Sequence, residues 1–309
     1  MHIKHAFIVG AQKSATTTLH HILSNHKEID PGIDKEPDFF SKKKLYSKGY
    51  GFYIKNYTNN KKKIKLDSSQ SYLTLEKVPE RICSMIGRDV KIIIVLRNSV
   101  DRIESAFNHF KTKYAGEVSR DINDILPSNY IGLSLEELIE SELQEIKSLI
   151  KEKKIISRDE EWAENGFPFN YLNNSHYTKH VFNYLKYFDR NDILIVSFED
   201  LTKNQFIVSK KICKFLEIKY NDFLSTKRVY KNQTVHFRYG FLPSLIHNMP
   251  PYYNKMNDFL CNYLGWSFIK PVIKFFLYKK DRERLSNKKH SFLESLYKDE
   301  IKKAKEMLM

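Results

Sequence analysis

Ile92-Ile93-Ile94-Val95 is an unbroken β-branched run with helix-compatible sequence on either side. A strand with one wet face alternates apolar and polar residues. A strand without alternation is buried on both faces, as in the centre of a parallel sheet covered by helices. Ile193-Leu194-Ile195-Val196 repeats the pattern later in the chain, and Ala6-Phe7-Ile8-Val9, ended by Gly10, precedes it. Residues 63–66 alternate like a short strand. Helical spacing is read over 16–26, where Leu19, Ile22 and Leu23 share a face, and over 75–86, from about 100 to 111, 177–188 and 206–216. Repeated strand–helix units of this kind predict an α/β fold with a central parallel sheet flanked by helices. Such sheets bind ligands beyond the carboxyl ends of their strands.

The middle is less regular. Residues 112–131 carry little periodicity and read as an extended excursion. Ser134-Leu135-Glu136-Glu137 is a capping-box pattern opening an amphipathic helix, with Leu135, Leu138, Ile139, Leu143, Ile146 and Ile150 inward. From about residue 243 the chain is aromatic, basic and helix-prone, and 293–308 reads as a closing helix. The chain of 309 residues is expected to form a single domain: a core over 1–110, a helical excursion over 111–175, core completion with a closing loop over 176–240, and a helical extension over 241–309.

Composition narrows the function classes. With 41% apolar residues, 14% of all residues aromatic, the chain can bury a core, which argues against global disorder. Its three cysteines, Cys83, Cys213 and Cys261, are too scattered for a disulfide framework or a zinc site and point to a reduced, cytosolic protein. No apolar run approaches the roughly 18 residues of a membrane span, and residues 1–10 pass into a strand without a signal-like stretch. The pair His20-His21 and His26 do not converge on one helix face, so no metal is expected. Lys and Arg number 52 against 37 Asp and Glu, a formal charge of +15 that calls for an anionic partner without identifying it.

Two segments say more. Gly10-Ala11-Gln12-Lys13-Ser14-Ala15-Thr16-Thr17-Thr18 lies between a strand and a helix. Backbone N–H groups at a helix start attract an anion, Lys13 adds charge and the threonines add hydroxyls, so this is phosphate-binding chemistry. It is not a Walker A loop. Ala15 stands at the second glycine position, Thr16 at the lysine position, and the lysine lies three residues upstream. Likewise the 91–96 strand ends in Arg97, where a metal-binding aspartate would belong in a kinase or ATPase. Arg97, at a strand's carboxyl end, can hold a phosphate bidentately, and Ser105 can add a hydroxyl.

The first segment resembles the 5′-phosphosulfate loop of sulfotransferases that use 3′-phosphoadenosine 5′-phosphosulfate (PAPS). Leu96-Arg97-Asn98-Ser99-Val100-Asp101-Arg102, with Ser105, resembles that family's 3′-phosphate motif, with Ser99 replacing the usual proline. Lys35-Glu36-Pro37-Asp38-Phe39-Phe40 resembles the glutamate element of the carbohydrate branch related to the heparan sulfate enzymes. No histidine occurs in 65–73, where the cytosolic aryl and steroid enzymes carry their base; Ser68, Ser69 and Tyr72 there are candidates for the acceptor side.

The resemblance implies a three-layer P-loop-NTPase-like fold and transfer of a sulfonate from PAPS to a hydroxyl or amine of an acceptor, most naturally a glycan or glycolipid. It implies Glu36 as base, with Asp38 a weaker rival, and Lys13 and Lys35 as catalytic cations. Lys13, Ser14, Ala15, Thr16, Thr17 and Thr18 would hold the 5′-phosphate; Arg97 and Ser105 would hold the 3′-phosphate. Lys231, Asn232 and Arg238 lie where the family closes over the nucleotide, and Tyr177 and Lys179 lie in a later block that reads mainly as scaffold. Two other classes fit the residues less well: a P-loop-like nucleotide kinase, and a non-catalytic polyanion-binding protein. No nucleic-acid motif is visible.

Overall fold

The computed structural model describes residues 4–58, 62–111, 121–152, 154, 157, 159–220, 236–237, 278–279 and 282–309. Five parallel strands, β1 (Lys4–Gly10), β2 (Ile29–Asp30), β3 (Ile64–Asp67), β4 (Val90–Leu96) and β5 (Ile193–Ser197), form one sheet in the order β2-β3-β1-β4-β5. The expected fold class is present: a parallel sheet with helices on both faces. Alternate residues of each strand feed different cores. Phe7, Val9, Ile92, Ile94 and Ile195 pack on Val78, Ile82, Tyr177, Val181 and Tyr184. Ala6, Ile8, Ile93, Val95 and Val196 pack on Leu19, Ile22, Leu23, Val208 and Ile212 of the helices Thr16–Ser24 and Gln205–Phe215. Burial on both sides is why these strands lack alternation.

The chain leaves β1 on one side and returns to build β4 on the other, so the order reverses between β1 and β4. Their carboxyl ends therefore diverge into a crevice. Gly10 is needed there. Its φ is +155°, and a Cβ would stand 2.8 Å from Leu73 Cβ, because the 70–73 turn is bonded to Val9 (Leu73 N to Val9 O, 2.8 Å).

A third core joins the helix Ser99–Lys111 to the excursion and to the chain end through Phe107, Leu138, Ile146, Tyr171 and Leu293. The capping box closes in both directions: Ser134 Oγ accepts the Glu137 N–H (3.2 Å) and Glu137 Oε2 accepts that of Ser134 (2.7 Å). Two readings need correction. The helix expected over 75–86 spans Val78–Ile86, with Pro79 in its first turn, where proline is tolerated. The closing helix is two helices, Asn287–Leu296 and Glu300–Glu306. Between them Tyr297 donates to Leu172 O (2.7 Å), and Asp299 takes a left-handed conformation (φ 63°).

Many lysines that sequence alone leaves as surplus charge have structural partners. Lys62 donates to Ile29 O (2.6 Å), Lys63 pairs with Glu28, and Lys65 is buried with its ammonium over the Tyr57 ring (5.3 Å). Arg102, read as part of the 3′-phosphate motif, is fully buried. It donates to Ser175 Oγ and to Tyr171 O, both at 2.6 Å. It ties the helix after β4 to the 171–175 segment instead of facing a ligand. Arg102→Ala is expected to cost roughly 2–4 kcal/mol, through a cavity and acceptors left unpaired, read as a lower urea midpoint.

Candidate active site

The crevice between β1 and β4 is lined on one side by the loop after β1. Ala11 N donates to Val95 O (2.8 Å), which fastens the loop to β4. Lys13 and Ala15 both have φ of 65°, and Ala15 immediately precedes the helix Thr16–Ser24. L-residues reach this region at a cost of roughly 1–2 kcal/mol each, and such strain gathers at functional sites. Left-handed residues in alternation turn successive N–H groups toward one concavity, an anion-binding nest. Ser14 is fully buried, and its hydroxyl finds no hydrogen-bond partner among the described residues; Gln12 Oε1 is in the same situation. Thr16 and Thr18 are buried, while Lys13 and Thr17 are partly exposed.

On the other side stands Arg97. One guanidinium nitrogen reaches Lys13 O (3.5 Å), a second faces Asp101 (3.9 Å), and the group lies 4.7 Å from the Phe198 ring centre. Burial pulls its pKa down, with Asp101 acting in the opposite sense. Its Nε is buried without a partner among the described residues. The backbone beneath is fixed from two directions: the Tyr177 hydroxyl donates to Arg97 O (2.9 Å), and Asn98 Oδ1 caps Asp101 N (2.9 Å). Tyr177 is thus scaffold, as is Lys179, which lies against Asn173 and Glu76. Ser99, standing where a proline was expected, recovers rigidity by donating to Ser175 O (3.1 Å). Ser105 is partly exposed on the same helix, about 9 Å of rise beyond Ser99. Lys231, Asn232 and Arg238 lie outside the described residues.

The acidic element follows β2. Lys35 and Glu36 form an ion pair with each other and project between two clamps. On the near side, Asn56 accepts the Asp34 N–H through Oδ1 (2.9 Å) and the Ile33 N–H through its carbonyl (2.8 Å). On the far side, Arg81 donates to Phe40 O (2.8 Å) and Trp162 Nε1 to Ser41 O (3.2 Å). Phe39 and Phe40 are core, 5.0 Å apart edge to face. Asp38 is held by Ser71 (2.8 Å) and Lys42 (3.1 Å), with burial raising its pKa. It is engaged in structure, whereas the Glu36 carboxylate stands exposed beside Lys35.

Sequence reading missed the hub of this clamp. Asp67, at the carboxyl end of β3, is buried. Ser69 donates to its Oδ1 (2.7 Å) and Tyr72 to its Oδ2 (2.9 Å). Ser69 Oγ accepts the Asp38 N–H (3.1 Å), and the Tyr72 hydroxyl accepts the Phe40 N–H (3.3 Å). Ser69 and Tyr72, expected to line the acceptor side, therefore support the element from beneath. Ser68 does likewise toward the first helix, sharing a hydrogen bond with His20 Nδ1 (2.8 Å). Burial and the Lys35 charge keep the His20 imidazole neutral, at a pKa of about 4. An acidic residue ending a strand before a Ser-rich turn was the available signal for Asp67. A cavity of about 800 Å³ opens beside Asn98 and Ser99 toward the last helix, and its charged wall is mixed, with Glu199, Glu294, Asp299, Glu300 and Glu306 alongside Lys298, Lys302 and Lys305.

Burial pushes Asp67 up to about 7, with Asp38 raising it further and the Ser69 and Tyr72 bonds opposing. An acid whose folded pKa is raised is stabilising below its unfolded value, near 3.9, and progressively destabilising as pH climbs through the folded one. Buried histidines such as His5 and His180, lowered to about 4 and about 3, slope the other way. A comparison with Asp67→Asn isolates the carboxyl. The stability of the wild type relative to Asp67→Asn is expected to fall between pH 5 and pH 8, measured as unfolding free energy in urea. A pH-independent difference contradicts the assignment.

The chain is similar to known proteins over most of its length. The family model described as sulfotransferase domain matches residues 4–238. The human bifunctional heparan sulfate N-deacetylase/N-sulfotransferase 2 is 27% identical over 219 residues, 68% of this chain and 22% of that protein. The mouse heparan sulfate glucosamine 3-O-sulfotransferase 5 is 24% identical over 229 residues, 72% of this chain and 57% of that protein. This chain thus spans between about a fifth and just over half of these relatives. Among solved structures, a sulfotransferase from Alicyclobacillus acidocaldarius superposes with a TM-score of 0.51 at 22% identity, covering 75% of this chain and 87% of the other, a likeness of fold.

Proposed function

The chain belongs to the sulfotransferase-domain family, and from that premise we propose that it transfers a sulfonate group from PAPS to a hydroxyl or amine of a carbohydrate acceptor. The observation that carries the reading is the meeting of the Lys13 loop and Arg97 across the β1/β4 crevice, Arg97 lying 3.5 Å from Lys13 O. Two separate cationic anchors suit a donor with phosphates at two positions. The donor set fits it: a nest closed by Lys13 and Ala15, the buried hydroxyl of Ser14, the threonine hydroxyls, and a desolvated guanidinium, with Ser14 Oγ and Arg97 Nε lacking partners among the described residues. The carbohydrate acceptor is carried over from the two heparan sulfate relatives by name.

PAPS, as the donor substrate, supplies the sulfonate. In this reading Lys13 neutralises charge at the departing 5′-phosphate, and the N–H groups and hydroxyls of Ser14 to Thr18 cradle it. Arg97, with Ser105 further along its helix, holds the 3′-phosphate and so distinguishes PAPS from ATP. Glu36 takes the proton from the attacking hydroxyl or amine. Lys35, already paired with Glu36, orients that carboxylate and can pass to the sulfonate oxygens. Lys231, Asn232 and Arg238 complete the nucleotide site in this proposal. The chain's part in catalysis is then positioning and preorganised electrostatics.

A thermal-shift series tests the donor. 3′-Phosphoadenosine 5′-phosphate (PAP) is expected to raise Tm more than AMP, or than ATP with or without Mg²⁺. A dominant Mg²⁺-ATP shift supports a kinase instead. Arg97→Ala is expected to weaken PAP by about 10- to 100-fold, the scale of one charged hydrogen-bonded pair, with AMP nearly unchanged. Equal losses for both ligands contradict the 3′-phosphate role. Glu36→Gln is expected to lower sulfonate transfer by roughly 10²-fold or more while keeping the PAP shift. Near-normal transfer removes Glu36 from the base role.

A further inference from the structure

Beside the Lys35–Glu36 element lies a cavity of about 320 Å³. Its wall is largely apolar, from Ile33, Pro37, Phe39, Leu45, Phe52 and Tyr53. Phe39 and Tyr53 are buried and form its floor, whereas Ile33 and Phe52 are 69% and 41% exposed. The Phe52 ring lies nearly parallel to that of Phe39, with centroids 6.3 Å apart and an interplanar angle of 21°. The polar side comes from Asp34, Lys55 and Asn56. Leaving large apolar side chains wet forgoes about 1.5–3 kcal/mol each, and their gathering at the mouth of an apolar pocket marks a binding surface.

Continuity with the acid assigns the occupant. Asp34 and Pro37 are both in the cavity wall, and Lys35 and Glu36 lie between them in the chain. Consecutive Cα atoms are about 3.8 Å apart, so the base is one residue from the pocket wall. Lys35 and Glu36 themselves are not in the wall, so a molecule presenting a hydroxyl to Glu36 has this cavity within reach of its adjoining group. The volume is about twice that of an engineered cavity of ~150 Å³ that takes benzene. It suits one aromatic ring or a short alkyl segment, and its mainly apolar wall offers a fully polar sugar residue few hydrogen bonds.

We propose that the cavity between the 33–39 loop and the helix Tyr50–Tyr53 is an acceptor subsite for an apolar aglycone. The acceptor is accordingly a glycoside whose sugar meets Glu36 and whose aryl or alkyl group enters the cavity. The identification of this side as the acceptor side rests on the transferase reading above; the apolar selectivity of the cavity rests on its walls alone.

The test is binding to the full-length protein in the presence of saturating PAP, with methyl, phenyl and hexyl β-D-glucopyranosides as probes. The phenyl or the hexyl glycoside, or both, is expected to raise Tm by about 2 °C or more, with the methyl glycoside silent. A response to phenyl alone identifies an aryl group as the occupant, and to hexyl alone an alkyl chain. Ile33→Asn and Phe52→Ala are each expected to abolish the response while keeping the shift given by PAP, which reports an intact fold. Equal shifts from all three glycosides, no shift from any, or variants that keep the selectivity overturn the proposal. If PAP produces no shift while the apolar selectivity persists, the donor assignment fails and the cavity assignment stands; the converse result fails the cavity alone.

Discussion

The reversal of strand order between β1 and β4 is the constraint on which the rest depends. Both strands are buried on both faces, and each must hand the chain to a helix on leaving the sheet. Since β1 and β4 are neighbours whose following segments diverge, their carboxyl ends face one crevice. The left-handed loop at Lys13 and Ala15 and the Arg97 turn occupy its two sides. The Ala11–Val95 bond and the Arg97 contact with Lys13 O couple them directly.

The acidic element sits differently. It follows β2 at the sheet's edge and has no strand of its own to hold it. Its position comes from side chains: Asn56 on one flank, Arg81 and Trp162 on the other, and Asp67 beneath, acting through Ser69 and Tyr72. These bonds end on backbone atoms of residues 33–41, so the loop is fixed while the Lys35 and Glu36 side chains remain at the surface. A buried carboxyl with a pKa near neutrality is the consequence of building that support where burial outweighs the hydroxyl donors Ser69, Tyr72 and, at 3.4 Å, Tyr53.

Much of the framework was legible in the sequence, because its signals are local. Continuous β-branched runs mean strands buried on two faces, and Ser134 with Glu137 means a capping box. The order glycine, lysine, alanine, threonine between a strand and a helix marks a tight turn, and Lys13 and Ala15 are left-handed there. The misreadings came where distant contacts override local preference. Residues 293–308 have helical periodicity, yet Tyr297 is drawn to Leu172 and Asp299 breaks the helix. Arg102 has the spacing of a ligand residue, yet the 171–175 segment covers it. Several lysines of the basic stretches look solvated in sequence and are paired or buried in the fold.

The sequence by itself determined the sheet, the tight loop between β1 and the first helix, and the identities of the charged groups, because each rests on residues within one turn or strand. Only the tertiary structure decided which of those groups share a site. Lys13 and Arg97 are brought together by the pairing of β1 with β4. Asp38, the weaker rival of Glu36 on paper, is withdrawn into support by Ser69 and Ser71, about thirty residues away, and Asp67, which carried no role in the sequence reading, is buried beneath it. The aromatic cavity next to Glu36 likewise exists only because Phe39 of the 33–39 loop converges on Phe52 and Tyr53 of the helix Tyr50–Tyr53, a proximity no spacing rule encodes.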